Sequence, residues 1–183
     1  LEEAVSAVGR PRVLIGHSVG GAVALELAVR PETPVDGLII INSGARIPVP
    51  ADVMERVRTD FPAEAERLVR ALWHEADDAT LTRGIGMVND AGSETLALAY
   101  EACAAFDARP WLAQIAVPTL VISGAEDALT PPHLSAELAA GLPDAQHVSL
   151  PDAAHMVMAE RDDEVNLLIA GFLARVEIAL ADG

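Results

Sequence analysis

Residues 12–21 read Arg-Val-Leu-Ile-Gly-His-Ser-Val-Gly-Gly, and no other stretch limits the fold so tightly. An apolar run with strand character, Val13 to Ile15, reaches Gly16, passes His17 and Ser18, and turns into a helix-forming pattern through Val19, Ala22, Val23, Leu25 and Leu27. Ser18 therefore falls at a strand-to-helix reversal, bracketed by Gly16 and Gly20 as Gly-x-Ser-x-Gly. At both flanking positions a side chain is expected to collide if the turn is tight enough to hold the serine in a strained conformation. Such a turn presents a hydroxyl as a nucleophile. The helix behind it aims free N–H groups and the positive end of its dipole at the place where negative charge gathers during acyl transfer. The five-residue pattern alone arises by chance in about one chain in twenty of this size. The strand before it and the helix after it are the context that the nucleophile reading requires.

The rest of the chain extends the same alternation. Leu1 to Gly9 carries apolar residues at Leu1, Ala4, Val5 and Val8 and reads as the end of an amphipathic helix, stopped by Gly9 and Pro11. After the helix from Val19 to about Arg30, residues 35–42 form a second strand, apolar on both sides. Unbroken apolar strands separated by helices indicate a parallel sheet covered on both faces. From Ser43 to about Pro110 the pattern changes: residues 52–58, 63–76, 79–89 and 93–106 have helical spacing, and no strand candidate occurs. This is more chain than a crossover needs, so residues 45–109 are expected to form a helical cap, with Trp73, Met87, Leu96, Leu98 and Tyr100 supplying apolar surface. Strands return at 117–123 and 146–150, with a helix at 133–140 between them and a last helix over about 162–180. The expected fold is α/β, a parallel sheet of about four strands built from residues 1–44 and 110–183, with the cap inserted between strands.

Charge narrows the partners. The formal charge is −16, from 28 acidic residues against 12 arginines and no lysine, so no basic cluster exists to neutralise nucleic-acid phosphates or an anionic membrane. No apolar run reaches the roughly 20 residues of a membrane span, and no signal segment is evident. The single cysteine, Cys103, rules out an internal disulfide and reads as an apolar filler on a helix. A cytoplasmic location is the expectation. The chain opens at Leu1 with about eleven residues before the first strand, and a further segment upstream is expected.

Asp127 and His155 sit just past the carboxyl ends of the last two strands, so the topology delivers Ser18, Asp127 and His155 to one rim, the edge where ligands bind in open parallel sheets. Nucleophilic serine needs a base to take its proton and an acid to hold that base in the right tautomer. The order Ser, acid, His is the one expected for this topology. Gly-His-Ser-Val-Gly-Gly, Pro-Thr-Leu-Val-Ile-Ser-Gly-Ala-Glu-Asp-Ala-Leu-Thr-Pro and Ala-His-Met-Val-Met-Ala-Glu resemble the nucleophile elbow, acid loop and histidine loop of the alpha/beta-hydrolase superfamily, closest to its capped bacterial esterases and peptidase-like members. The resemblance covers nearly the whole chain. It implies Ser18 as nucleophile, His155 as base, Asp127 as acid and the Val19 backbone N–H as one oxyanion donor.

Other residues could fill some of these roles. Glu126 and Asp152 are alternative acids. His17 lies in the elbow and is expected to point away from the serine as support for the site. His133 and His147 read as ordinary surface or sheet residues, His74 belongs to the cap, and Met156 and Met158 are expected to pack the final loop on the core. Relatives usually carry Gly where this chain has Asp152 and Ala154, so a slightly different turn is expected there.

The main departure is at the front: family members have an eight-stranded sheet, whose four N-terminal strands and the loop with the second oxyanion donor precede the elbow. Their absence here would leave the Val13–Ile15 strand as a bare apolar edge. Three explanations are open: the chain is the C-terminal part of a longer protein, a second copy covers the edge, or the fold is reduced. The activity implied is hydrolysis of ester-like bonds of a small molecule through an acyl-enzyme on Ser18, with no metal and no cofactor. Amide or carbon-carbon bond hydrolysis and perhydrolysis are alternatives on the same triad, and a non-catalytic half-fold that needs a partner is an alternative of another class.

Overall fold

The computed structural model describes residues 2–181; Leu1, the first apolar position of the expected N-terminal helix, lies outside them. Four strands, β1 (Val13–His17), β2 (Gly37–Ile41), β3 (Thr119–Gly124) and β4 (Ala145–Leu150), make one parallel sheet in the order β1-β2-β3-β4. Around them run α1 (Glu2–Ala7), α2 (Val19–Ala28), α3 (Val53–Thr59), α4 (Phe61–Ala71), α5 (Asp78–Ala105), a 3-10 turn (Leu112–Gln114), α6 (Pro132–Gly141), α7 (Val157–Glu160) and α8 (Asp162–Ala181). The fold is the α/β parallel sheet that the sequence predicts. The 3-10 turn and the single turn of α7 are too short to leave a periodicity in the sequence.

Side chains of successive strand residues point to opposite faces, and the core divides accordingly. Leu38 and Ile40 of β2, with Val121 of β3, pack beside Leu25 of α2 and Leu138 of α6. Ile39 and Ile41, with Leu120 and Ile122, pack with Val165, Phe172 and Val176 of α8. Every residue of β2 and β3 is buried, as strands covered on both faces require. The register pairs His17 with Ile41, Ile41 with Ile122, and Gly124 with Leu150. β1 and β2 therefore end level with Ile122, β3 and β4 end together just beyond it, and the loops that leave all four share one rim.

β1 and β4 are the edge strands, and on β1 Ile15 is 55% exposed. At its start, Asp36 accepts from the Arg12 N–H at 2.8 Å and pairs with the Arg10 guanidinium, which ties β1 to β2.

The long segment between β2 and β3 contains α3, α4 and α5 and no strand. These helices pack on one another around Val53, Val57, Ala65 and Val69. The buried carboxylate of Glu64 is clamped by Arg56, at 2.7 Å, and by Arg67. α4 ends at Ala71, five residues short of the sequence expectation. α5 spans both expected helices, with a break at Gly92 (φ 85°, ψ 160°), a conformation that suits glycine. The ends of the insertion meet: Ala108 N–H donates to Ala45 C=O at 2.7 Å, and Arg46 bridges antiparallel to Asp107. No helix among the described residues is long and apolar enough to cross a membrane.

Candidate active site

β1 ends at His17 and α2 begins at Val19, so one residue, Ser18, makes the whole reversal. It does so at φ 53° and ψ −124°, a strained conformation for any residue with a side chain, and its N–H donates to Ile41 C=O at 3.0 Å. The turn brings Gly16 against the first turn of α2, where a Cβ would lie 2.3 Å from the Gly20 carbonyl oxygen. Gly16 is thus obligatory. Gly20 is not, which corrects the sequence expectation: a Cβ there meets nothing within 4 Å, whereas one at Gly21 would meet Ser43 at 2.7 Å. Val19, as the first residue of α2, has an N–H outside the helical ladder.

The acid and histidine loops interlock at the other side of the rim. Gly124 ends β3 where the histidine loop crosses it, and a Cβ there would sit 2.2 Å from Ala154 C=O. His155 Nδ1 and Asp127 Oδ2 are 2.8 Å apart, and both residues are 3% exposed. Asp127 Oδ1 accepts from the N–H groups of Leu129 and Thr130 at 2.8 and 2.9 Å, and Oδ2 also takes the Thr130 hydroxyl at 2.7 Å. Burial works against the charge on Asp127, but its bond to His155 and the Thr130 donors outweigh it and hold the carboxyl below its usual range. A carboxylate on Nδ1 fixes the tautomer with the proton there and leaves Nε2 as an acceptor.

His17 lies against the histidine loop. Its ring packs at 4.7 Å from that of His155, and its Nε2–H donates to the His155 carbonyl at 2.8 Å, so it supports the histidine loop directly. Burial, with the nearby His155, pushes the His17 pKa down to about 4 and keeps its ring neutral. The Ser18 hydroxyl makes no hydrogen bond among the described residues; such bonds often tighten only when substrate binds.

A family model described as the alpha/beta hydrolase family matches residues 1–166. The chain belongs to that family. A protein of Azorhizobium caulinodans named as a candidate carbamate hydrolase, RutD, is 31% identical over 174 residues, which cover 88% of this chain and 66% of that protein. A thermophilic esterase structure is matched with a TM-score of 0.83 and 29% identity, over 96% of this chain and 70% of that one. The enol-lactonase of Burkholderia xenovorans LB400 is matched with a TM-score of 0.73 and 30% identity, over 87% of this chain and 64% of that one. The chain spans about two thirds of the length of the curated relatives it matches.

Two buried residues at this rim escaped the sequence reading. Asn42, at φ 44° just past β2, donates from Nδ2 to Ala154 C=O at 2.7 Å and accepts on Oδ1 from Gly124 N–H at 2.8 Å, stapling the two loops together. The Thr130 hydroxyl lies 2.9 Å from Asn42 C=O and 2.7 Å from Asp127 Oδ2, two competing acceptors for its one proton, and its oxygen is 3.3 Å from His155 Nδ1. A polar residue directly after an apolar strand was the only available signal for Asn42.

The remaining candidates stand apart. Glu126 accepts from Ala153 N–H at 3.2 Å, and Asp152 is exposed with φ 55°, in the left-handed region that favours glycine. His133 is exposed, and His147 bonds the buried Ser123 hydroxyl at 2.9 Å. His74 is exposed in the α4–α5 connection, Cys103 is half-buried, and Met158 packs on the core as expected. Among the described residues no group of three or more His, Cys, Asp or Glu is placed to hold a metal ion.

Proposed function

We propose that this chain is the catalytic part of a serine hydrolase that cleaves ester-like bonds of a small molecule, with Ser18, His155 and Asp127 as its triad. The observation that carries the reading is the buried Asp127–His155 bond on the same rim as a serine strained at φ 53°. Likeness to an esterase and an enol-lactonase supports an acyl substrate.

His155 Nε2 takes the Ser18 proton as Oγ bonds to the substrate carbonyl carbon, and the carbonyl electron pair moves onto its oxygen. Val19 N–H, at the positive end of α2, stabilises that oxyanion. The pair returns, the bond to the leaving alkoxide breaks, and His155 gives the alkoxide its proton. Water then repeats the sequence on the acyl-enzyme, releasing the acid and restoring Ser18. Asp127 stays ionised throughout and stabilises the imidazolium. Residues 45–109 act as the cap over this rim. A second oxyanion donor would come from chain upstream of Leu1 or from a second copy laid along β1, and losing one such donor costs about 100-fold to 1000-fold in rate.

Relatives named as candidate carbamate hydrolases favour a second substrate, a carbamate, whose carbonyl carbon the same oxygen can attack. The test is labelling with a fluorophosphonate, read by intact mass and peptide mapping, followed by a panel of p-nitrophenyl esters, a lactone and a carbamate. One adduct on Ser18, absent from Ser18→Ala, is expected. A folded chain that takes no adduct would sink the reading for this chain alone and favour the partial fold that needs a partner.

A further inference from the structure

The connection between α4 and α5 touches the histidine loop at two points, one on each side of His155. Glu160, the last residue of α7, supplies the first. Its Oε1 accepts from His74 N–H at 2.6 Å and from Glu75 N–H at 3.4 Å, and its Oε2 accepts from Ala154 N–H at 2.8 Å. Ala154 immediately precedes His155. The second point is Met156 N–H, immediately after His155, which donates to Leu72 C=O at 2.9 Å. Both peptide flanks of His155 are thereby pinned to residues 72–75. The clasp has little freedom of its own, because Glu160 N–H closes α7 onto Met156 C=O at 3.1 Å and the fully buried Val157 anchors that turn in the core. A carboxylate suits the place, since it can only accept and three N–H donors face it.

We propose that Glu160 is a positioning residue that couples the helical insertion to His155, so that the docking of residues 72–75 sets where the imidazole stands relative to Ser18. This rests on the triad reading above. A ring displaced by about 1 Å can cost about 100-fold in rate, so a clasp on the adjoining peptides is enough to make the insertion a control element as well as a cover. The clasp lines an open cavity of about 400 Å³ with His74, Glu75 and Asp152, so an N–H released from it meets water at once.

The experiment compares the chain as it stands with Glu160→Ala and Glu160→Gln. Amide hydrogen exchange is followed at His74, Ala154 and Met156, with Ile122 of β3 as reference, alongside fluorophosphonate labelling of Ser18 and kcat and KM on a p-nitrophenyl ester. Glu160→Ala is expected to lose protection at all three amides together by about tenfold or more. It should keep that of Ile122, slow labelling about 10- to 100-fold and lower kcat with little change in KM. Glu160→Gln keeps one acceptor and should fall between. Exchange loss confined to residues 74 and 75, or labelling within twofold of the parent, would reduce Glu160 to a local cap and overturn the proposal. If the parent chain takes no adduct, the triad reading fails separately, and coupled or uncoupled exchange still decides whether the clasp exists.

Discussion

Asp127 and His155 are each 3% exposed, with both carboxylate oxygens and both flanks of the histidine bonded to protein, whereas Ser18 leaves an edge strand on which Ile15 is 55% exposed. One half of the rim is finished by β3, β4 and their loops. The other half has its strained turn but open surface along β1 and the outer side of α2, where Val19 and Val23 are also exposed. The histidine and acid are held by interlocked loops, and the residues on either side of His155 are also bonded by Glu160 and by Leu72. The serine is held by its own backbone conformation, and its surroundings are the part that an additional strand would change.

The sharpest way to break this contrast is to disable the finished half. Asp127→Asn should lower ester turnover by roughly 10⁴-fold, because an amide can no longer hold the His155 tautomer, and steady-state kcat/KM measures it. A loss under tenfold would mean that the finished half is not engaged in turnover. Backbone clashes come next. Gly16→Ala and Gly124→Ala should each cost at least about 3 kcal/mol in urea unfolding, since the new Cβ would meet a carbonyl oxygen that cannot move aside. Gly20→Ala should be neutral or stabilise α2 by about 0.5–1 kcal/mol.

The pH response singles out His17. Its folded-state pKa of about 4 lies below the unfolded value of 6.5, so its contribution is present above pH 6.5 and lost as pH falls through 4. His17→Phe should flatten that part of the stability curve, by on the order of 3 kcal/mol between those limits. An equally steep curve in the variant would assign the fall to other groups. Asp127, whose carboxyl is held low, adds its own loss only below its usual value of 3.8. The smallest effect belongs to the open half. Ile15→Lys should change unfolding free energy by less than about 0.5 kcal/mol in this chain, because the side chain is already in water. A loss of several kcal/mol would mean that something covers β1 in solution.

Features that repeat along the sequence were readable from it: the strands, the helical insertion and the strand-end positions of Ser18, Asp127 and His155. What escaped depends on residues far apart in the chain. Gly124 is fixed by Ala154, Asn42 by both of them, and α4 stops at Ala71 where the backbone of residues 72–75 begins to bond Glu160 and Met156. No local pattern announces such partners. Gly20 shows the reverse error, a motif position that looks constrained in the sequence and faces open space in the fold.

The closure of Ala45 on Ala108 has a kinetic side. From the sheet's standpoint the sixty or so residues between them are a ring already shut at its neck, so β2 and β3 can find their register across a short effective connection once that 2.7 Å bond and the Arg46–Asp107 bridge form. Enlarging the ring costs little, about 0.6 kcal/mol for each doubling of a flexible loop. The insertion can therefore grow or shrink elsewhere at small entropic cost while residues 72–75 keep their hold on the histidine loop, which leaves most of its length free to vary without rebuilding the strand ends.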